Sequence, residues 1–158
     1  VTSLDRNGNL APAPDTLKEN LSTYLNEFRL ISDAIDVLDC SIINYGISYE
    51  VMLDKTANKQ LTLQNINRRI SDALRIKFFQ IDQPLILDDI LNLIINTEGV
   101  ISLVDMQVYP LTGEKDTRAY SVFSFPFESS LKNGILRGPL GSIFELKFPE
   151  HDIVGHAI

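Results

Sequence analysis

The sequence holds one cysteine, no surplus of basic residues and no long apolar run, and each shortage removes a class of function. A lone Cys40 cannot close an intrachain disulfide, and without a CxxC pair or a Cys/His cluster no zinc motif is present. Such sparing use of cysteine suits a reducing compartment. Fourteen Lys and Arg stand against 21 Asp and Glu, giving a net charge of −7. Broad contact with nucleic acid or anionic lipid needs a basic surface, so this balance argues against both. The densest apolar runs, Ile42-Ile43 and Leu91 to Ile95, fall far short of the ~20 residues that span a bilayer.

What is present is ordinary for one folded domain: 158 residues, 44% hydrophobic and 22% charged. Residues 1–14, with Asp5-Arg6-Asn7-Gly8 and the spaced prolines Pro12 and Pro14, read as a turn followed by an extended connector. The start at Val1, without a methionine, leads us to expect a fragment of a longer polypeptide.

Thr16-Leu17-Lys18-Glu19 has capping-box spacing, and Leu17, Leu21, Tyr24, Leu25 and Phe28 then recur as one helical stripe. So short a helix should depend on packing against something else. From Ile42 the period changes. Ile47, Tyr49, Val51 and Leu53 alternate with Ser48, Glu50 and Met52 as in a strand with one buried face, and Gly46 marks a bulge or a tight crossing. The spacing predicts a helix from about Lys59 to Phe79, with Leu63, Ile66, Ile70, Ala73 and Leu74 on its apolar side. A second follows from Leu87 to Asn96, with Ile90, Leu91, Ile94 and Ile95 buried and Gly99 closing it. Val100 to Tyr109 reads as another strand, ended by Pro110 and Gly113.

The expected fold is therefore α+β. A strand-helix-helix-strand core, with both helices on one face of a small sheet, is preceded by a helix and followed by a β-rich arm. We assign residues 15–112 to the core and 113–158 to the arm, which packs on the core or on a partner. Five of the eight phenylalanines lie in the arm: Phe123, Phe125, Phe127, Phe144 and Phe148. In the strand expected from Ser142 to Phe148, Ile143, Leu146 and Phe148 cannot all share a face under strict alternation. Such a concentration of aromatics calls for a partner surface, and these five are the candidate interface residues.

Residues with chemical potential have simpler readings nearby. His151, Asp152 and His156 could be imagined as a metal-dependent hydrolytic site, but their spacing matches no common ligand motif. Asp88 and Asp89, just before an apolar helical run, are favourable charges at its positive end, and the same account covers Asp15. Asp82 lacks a general-base partner. Asp33, Asp36 and Asp39 shape a solvated connection. Cys40 has no histidine near it in sequence and reads as a small buried side chain. Gly134, Gly138 and Gly141 belong to turns, since no phosphate-cradling GxxxxGK[ST] is present. Arg68, Arg69, Arg75 and Lys77, interspersed with Asp72, form a solvated helix face. No catalytic, metal or cofactor residues are assigned.

One run, Leu17-Lys18-Glu19-Asn20-Leu21-Ser22-Thr23-Tyr24-Leu25-Asn26-Glu27-Phe28-Arg29, resembles a segment of the baseplate wedge protein that forms the inner ring in contractile-tailed, myovirus-type bacteriophages. Further blocks are similar to the same family and fall in the same order: Leu30 to Ile35, Ile42 to Ile47, Phe78 to Ile90, Ser142 to Pro149 and Asp152 to Gly155. Thr112 to Arg137 is matched only loosely. The strand-helix-helix-strand unit is also similar to domains of the wider baseplate J family. The resemblance implies the carboxy-terminal part of a virion structural protein in the tail baseplate, assembled in the host cytoplasm, with no catalytic residues and no cofactor. Its implied partners are a second copy, giving a homodimer that links neighbouring wedges, and other wedge subunits. Nucleic acid, membrane and small-molecule substrate are not expected. A small-molecule-binding regulatory domain of α+β type is the alternative, because two helices on a sheet also suit ligand sensing.

Overall fold

The computed structural model describes residues 1–31 and 33–158; Ser32, within one of the blocks quoted above, lies outside them. In chain order the elements are β1 (Ser3–Leu4), β2 (Leu10–Ala11), α1 (Asp15–Asn26), β3 (Ser41–Leu53), α2 (Lys59–Ala73), β4 (Leu85–Ile86), α3 (Leu87–Ile95) and β5 (Val100–Leu111). There follow β6 (Glu114–Lys115), β7 (Arg118–Ala119), α4 (Phe127–Ser130), β8 (Leu131–Lys132), β9 (Ile135–Leu136), β10 (Ser142–Glu145), α5 (Pro149–Asp152) and β11 (Ile153–Ala157).

The long strand β3 organises the fold. Its alternate residues Ile43, Tyr45, Ile47, Tyr49, Val51 and Leu53 point to one face and are all buried. Ile66 and Ile70 of α2 and Ile90 and Ile94 of α3 cover that face, fully enclosed in the same cluster. Each such side chain stabilises the fold by about 1.5–3 kcal/mol through area removed from water. The class is thus α+β, with the strand-helix-helix-strand unit β3-α2-α3-β5 closing as an antiparallel β3–β5 pair.

Helix boundaries follow local chemistry. The Asn58 side chain accepts from the Leu61 N–H and caps α2. Where the periodicity predicts a helix to Phe79, α2 stops at Ala73 and a short 3-10 turn occupies Ile76–Phe78. That break lets Ile76 and Phe79 pack on a second small cluster of Leu10, Ile42 and Ile143. At the far end of α3, Arg69 donates from α2 to the Asn96 carbonyl (2.6 Å) and the Thr97 hydroxyl (3.0 Å), satisfying groups a helix end leaves unpaired. Ile95, placed by its spacing on the buried side of α3, is instead 41% exposed.

Residues 113–158 pack on the core, and two of their strands complete its sheet. Both β10 and β11 run parallel to β3 along the edge opposite β5, β10 beside Ser41–Asn44 and β11 beside Ile47–Val51. Between them residues 146–152 loop outward while β3 advances only through Tyr45 and Gly46. Every residue of β10 is buried, on both faces, and this explains why Ser142–Phe148 shows no clean alternation. Lys132-Asn133-Gly134 forms the expected turn, with Asn133 and Gly134 both at positive φ (53° and 72°) joining β8 to β9.

Two further expectations are corrected and one is decided between its alternatives. Thr16 does not cap α1: Pro14 holds the N-cap position, and the helix begins at Asp15 without a side-chain cap. Of the two readings of Gly46 the tight crossing holds and the bulge does not: the ring of Tyr109, its partner across the ladder, lies over it where a Cβ would stand. The register shifts come later, between Glu50 and Val51 and between Met52 and Leu53. Finally, β5 does not end at Pro110 but continues through it to Leu111, with Pro110 opposite Tyr45. Proline is tolerated there because β5 is an edge strand.

Candidate association surface

The phenylalanine group resolves into packing. Phe144 is 1% exposed, and the rings of Tyr45, Phe125 and Phe127 surround it edge-on with centroids 6.2–6.3 Å away. Phe125 and Phe127 are buried in the same cluster, and Phe123 packs against it half-buried. Phe148 is also half-buried, with its ring 5.5 Å from that of Tyr120 and Lys147 Nζ over its face. Of these five candidate interface residues, Phe125, Phe127 and Phe144 lie in the interior of the chain, while Phe123 and Phe148 keep part of their surface open. Their every-second-residue spacing at 123, 125 and 127 directs them inward together, without a strand.

The chemically suggestive residues do not converge. Asp152 is buried and fully engaged: Tyr120 donates to its Oδ1 (2.6 Å) and the Phe148 N–H to its Oδ2 (3.1 Å), which ties down the loop before β11. Burial and that bond push the Tyr120 hydroxyl up to about 12. His151 and His156 are exposed, and His156 sits across the ladder from Glu50. Among the described residues no three His, Cys, Asp or Glu side chains are placed to hold a metal ion. Asp82 accepts from the Gly141 N–H (2.6 Å), a loop contact. Asp88 and Asp89 lie in the first turn of α3. Burial pushes the Cys40 thiol above its ordinary range, away from the reactive thiolate. Arg68 and Arg75 flank Asp72 in exposed ion pairs. Among the described residues no helix is long and apolar enough to cross a membrane.

A polar cluster that sequence reasoning missed lies on the face of β3 away from α2 and α3. The Glu145 carboxylate is 3% exposed, accepts from the Leu10 N–H (2.5 Å) and from Asn44 Nδ2 (2.9 Å), and so anchors the β1–β2 hairpin to the sheet. Asn44 Oδ1 in turn accepts from the Ser121 N–H (2.7 Å). Burial raises the pKa of Glu145, partly offset by these bonds. The signal was the alternation itself: Asn44 and Glu145 are neighbours across the parallel ladder, which cannot be known before the pairing is.

With the phenylalanines inside, the apolar surface left uncovered is elsewhere. None of the side chains of α1 is buried. Leu17, Tyr24 and Phe28 stand exposed along its stripe, with Tyr24 and Phe28 in edge contact at 5.1 Å, and Leu30, Ile31 and Leu38 follow in the connection to β3. Phe28 is 69% exposed and Leu30 72%. Lys18 bonds Asp15 within the helix (3.0 Å) and Asp39 outside it (3.1 Å); those bonds raise the lysine's pKa. Polar contacts of this exposed kind contribute little to stability. The spacing 17, 21, 24, 28 repeats the four-three-four interval of a two-helix seam. In comparisons with known proteins, no family model matches the chain and no curated protein matches it.

Proposed function

We propose that this chain is a structural module of a contractile-tail baseplate wedge subunit, acting by association with a second copy and with other wedge subunits rather than by catalysis. The carrying observation is the uncovered apolar run on α1 and its connection to β3. A large apolar side chain has ~100–200 Å² to bury. Leu17, Tyr24, Phe28, Leu30 and Ile31 at their observed exposures therefore leave on the order of 500 Å² open. A standard interface takes ~800 Å² from each partner, a little over half of it apolar, so the run supplies about what one side requires. A seam on one helix, met by the same seam of a second copy, makes a two-fold, self-complementary contact. The ordered resemblance from Leu17 to Gly155 supplies the biological setting, the inner ring of the baseplate in the virion tail.

The test is the double variant Tyr24→Glu, Phe28→Glu, in which both positions are exposed and the fold has no reason to change. Sedimentation equilibrium should show the dimer dissociation constant rising at least about tenfold. Unaltered pairing in a folded variant would remove α1 from the interface and the support it lends to this function.

A further inference from the structure

The edge of the central sheet formed by β5 is unpaired on its outer side. β5 bonds to β3 alone, and among the described residues no other element reaches the backbone of residues 105–110 with a hydrogen bond. The two halves of this edge differ. Register shifts leave Ile101 and Val104 with no opposite residue, and both side chains are exposed. Bulges of this kind twist an edge and blunt it against pairing. From Asp105 to Pro110 the ladder is regular, and Pro110, without an N–H, ends the usable row.

Beside that regular half lies a groove of about 350 Å³, a volume in the range of ligand and peptide clefts. Its apolar walls come from Leu87, Met106, Val108, Phe127, Leu131 and Leu136. The intervening Gln107 and Tyr109, and then Pro110, line it as well. Side chains alternate across a strand, so consecutive residues share one groove through the backbone edge they have in common. The groove therefore combines a row of unpaired strand groups with apolar room for alternate side chains, the two requirements for adding a strand.

We propose that this groove binds an extended segment of a different, basic partner protein, which adds a strand to β5 and carries lysine or arginine among alternating apolar residues. Charge decides the occupant. Among the described residues Glu128 is the one charged residue lining the groove, Asp105 stands exposed next to Met106, and the chain as a whole carries −7. A second copy offering its own β5 would bring Asp105 and no cation, since Val100–Leu111 contains no Lys or Arg. This surface is distinct from α1 and does not depend on the self-association reading.

The experiment titrates the isotope-labelled protein with a blocked hexapeptide of alternating lysine and leucine, followed by amide NMR shifts and hydrogen exchange. Shifts should concentrate in Asp105–Tyr109 and Phe127–Leu131, with slowed exchange along β5. Leu131→Lys, a change at a partly exposed wall residue that removes apolar contact and repels a cationic peptide, should weaken binding by about tenfold, and so should replacing the peptide's lysines by glutamates. The variant's own spectrum reports whether it is folded. Absence of shifts at millimolar peptide, shifts centred elsewhere, or a folded Leu131→Lys protein that binds as well as the parent would overturn the site. Equal binding of the acidic peptide would overturn the charge assignment of the partner.

Discussion

Replacing Phe144 by alanine separates the two roles open to the aromatic residues of the last third. The side chain is 1% exposed and touches the rings of Tyr45, Phe125 and Phe127. Losing its transfer free energy and leaving a cavity between β3 and α4 costs about 3–5 kcal/mol for Phe→Ala. The three edge-on ring contacts place this site toward the upper half of that range, because each such pair adds ~0.5–1.5 kcal/mol beyond area alone. Domains are stable by ~5–15 kcal/mol, so the variant should fold at room temperature with much of its margin gone. For a chain of this length each kcal/mol moves Tm by about 2–4 °C, which predicts a fall of roughly 8–20 °C. Urea unfolding followed by circular dichroism measures the loss directly, and light scattering on the folded fraction reports pairing. A loss under about 1 kcal/mol, accompanied by weakened pairing, would refute the core placement and return Phe144 to an interface.

The other expectations are smaller in scope. In Gly155→Val the new side chain would overlap the ring of Tyr49, which cannot swing away without losing its bond to Asn67 Oδ1 (2.6 Å). Thermal unfolding should show a cost of about 2–4 kcal/mol, overpacking plus a lost hydrogen bond, and a neutral result would mean the ring does not lie over β11. The Tyr45 hydroxyl is fully buried with no hydrogen-bond partner among the described residues, and burial drives its pKa up. Tyr45→Phe should thus be neutral or stabilise by up to ~1–2 kcal/mol in urea unfolding; a clear destabilisation would reveal a partner for that oxygen. Burial raises the Glu145 pKa, so the folded state holds that proton more tightly than the unfolded chain does. The group's contribution to stability is full below the unfolded value, near 4.5, and declines as pH rises through the higher folded one. Stability of the parent relative to Glu145→Gln should therefore fall as pH rises above about 4.5, whereas a constant difference would contradict the raised pKa.

Local periodicity made much of the fold legible. The alternation of Ile47, Tyr49, Val51 and Leu53 and the helical spacing of Ile66, Ile70, Ile90 and Ile94 put the right side chains on the buried face, because period alone sets which residues share a side. The partners of β3 were not legible in the same way. Parallel pairing of β10 and β11 joins residues about a hundred positions apart, and no turn or local pattern encodes that register. Without that pairing, the phenylalanines of residues 123–148 look surplus, and an interface is the natural reading; with it, β10 needs cover on both faces and absorbs them. Pro110 misled for a related reason, since only an unpaired edge tolerates it and the edge was not known. The stripe of α1 was visible as Leu17 to Phe28, but a stripe records only that something should cover it.

The account's central claim is that this surface on α1 is covered by a second copy, and light scattering on a size-exclusion column across a concentration series tests it most directly. The account predicts a two-copy mass at high concentration that falls toward 17.8 kDa on dilution. A mass of one copy at every concentration would contradict it.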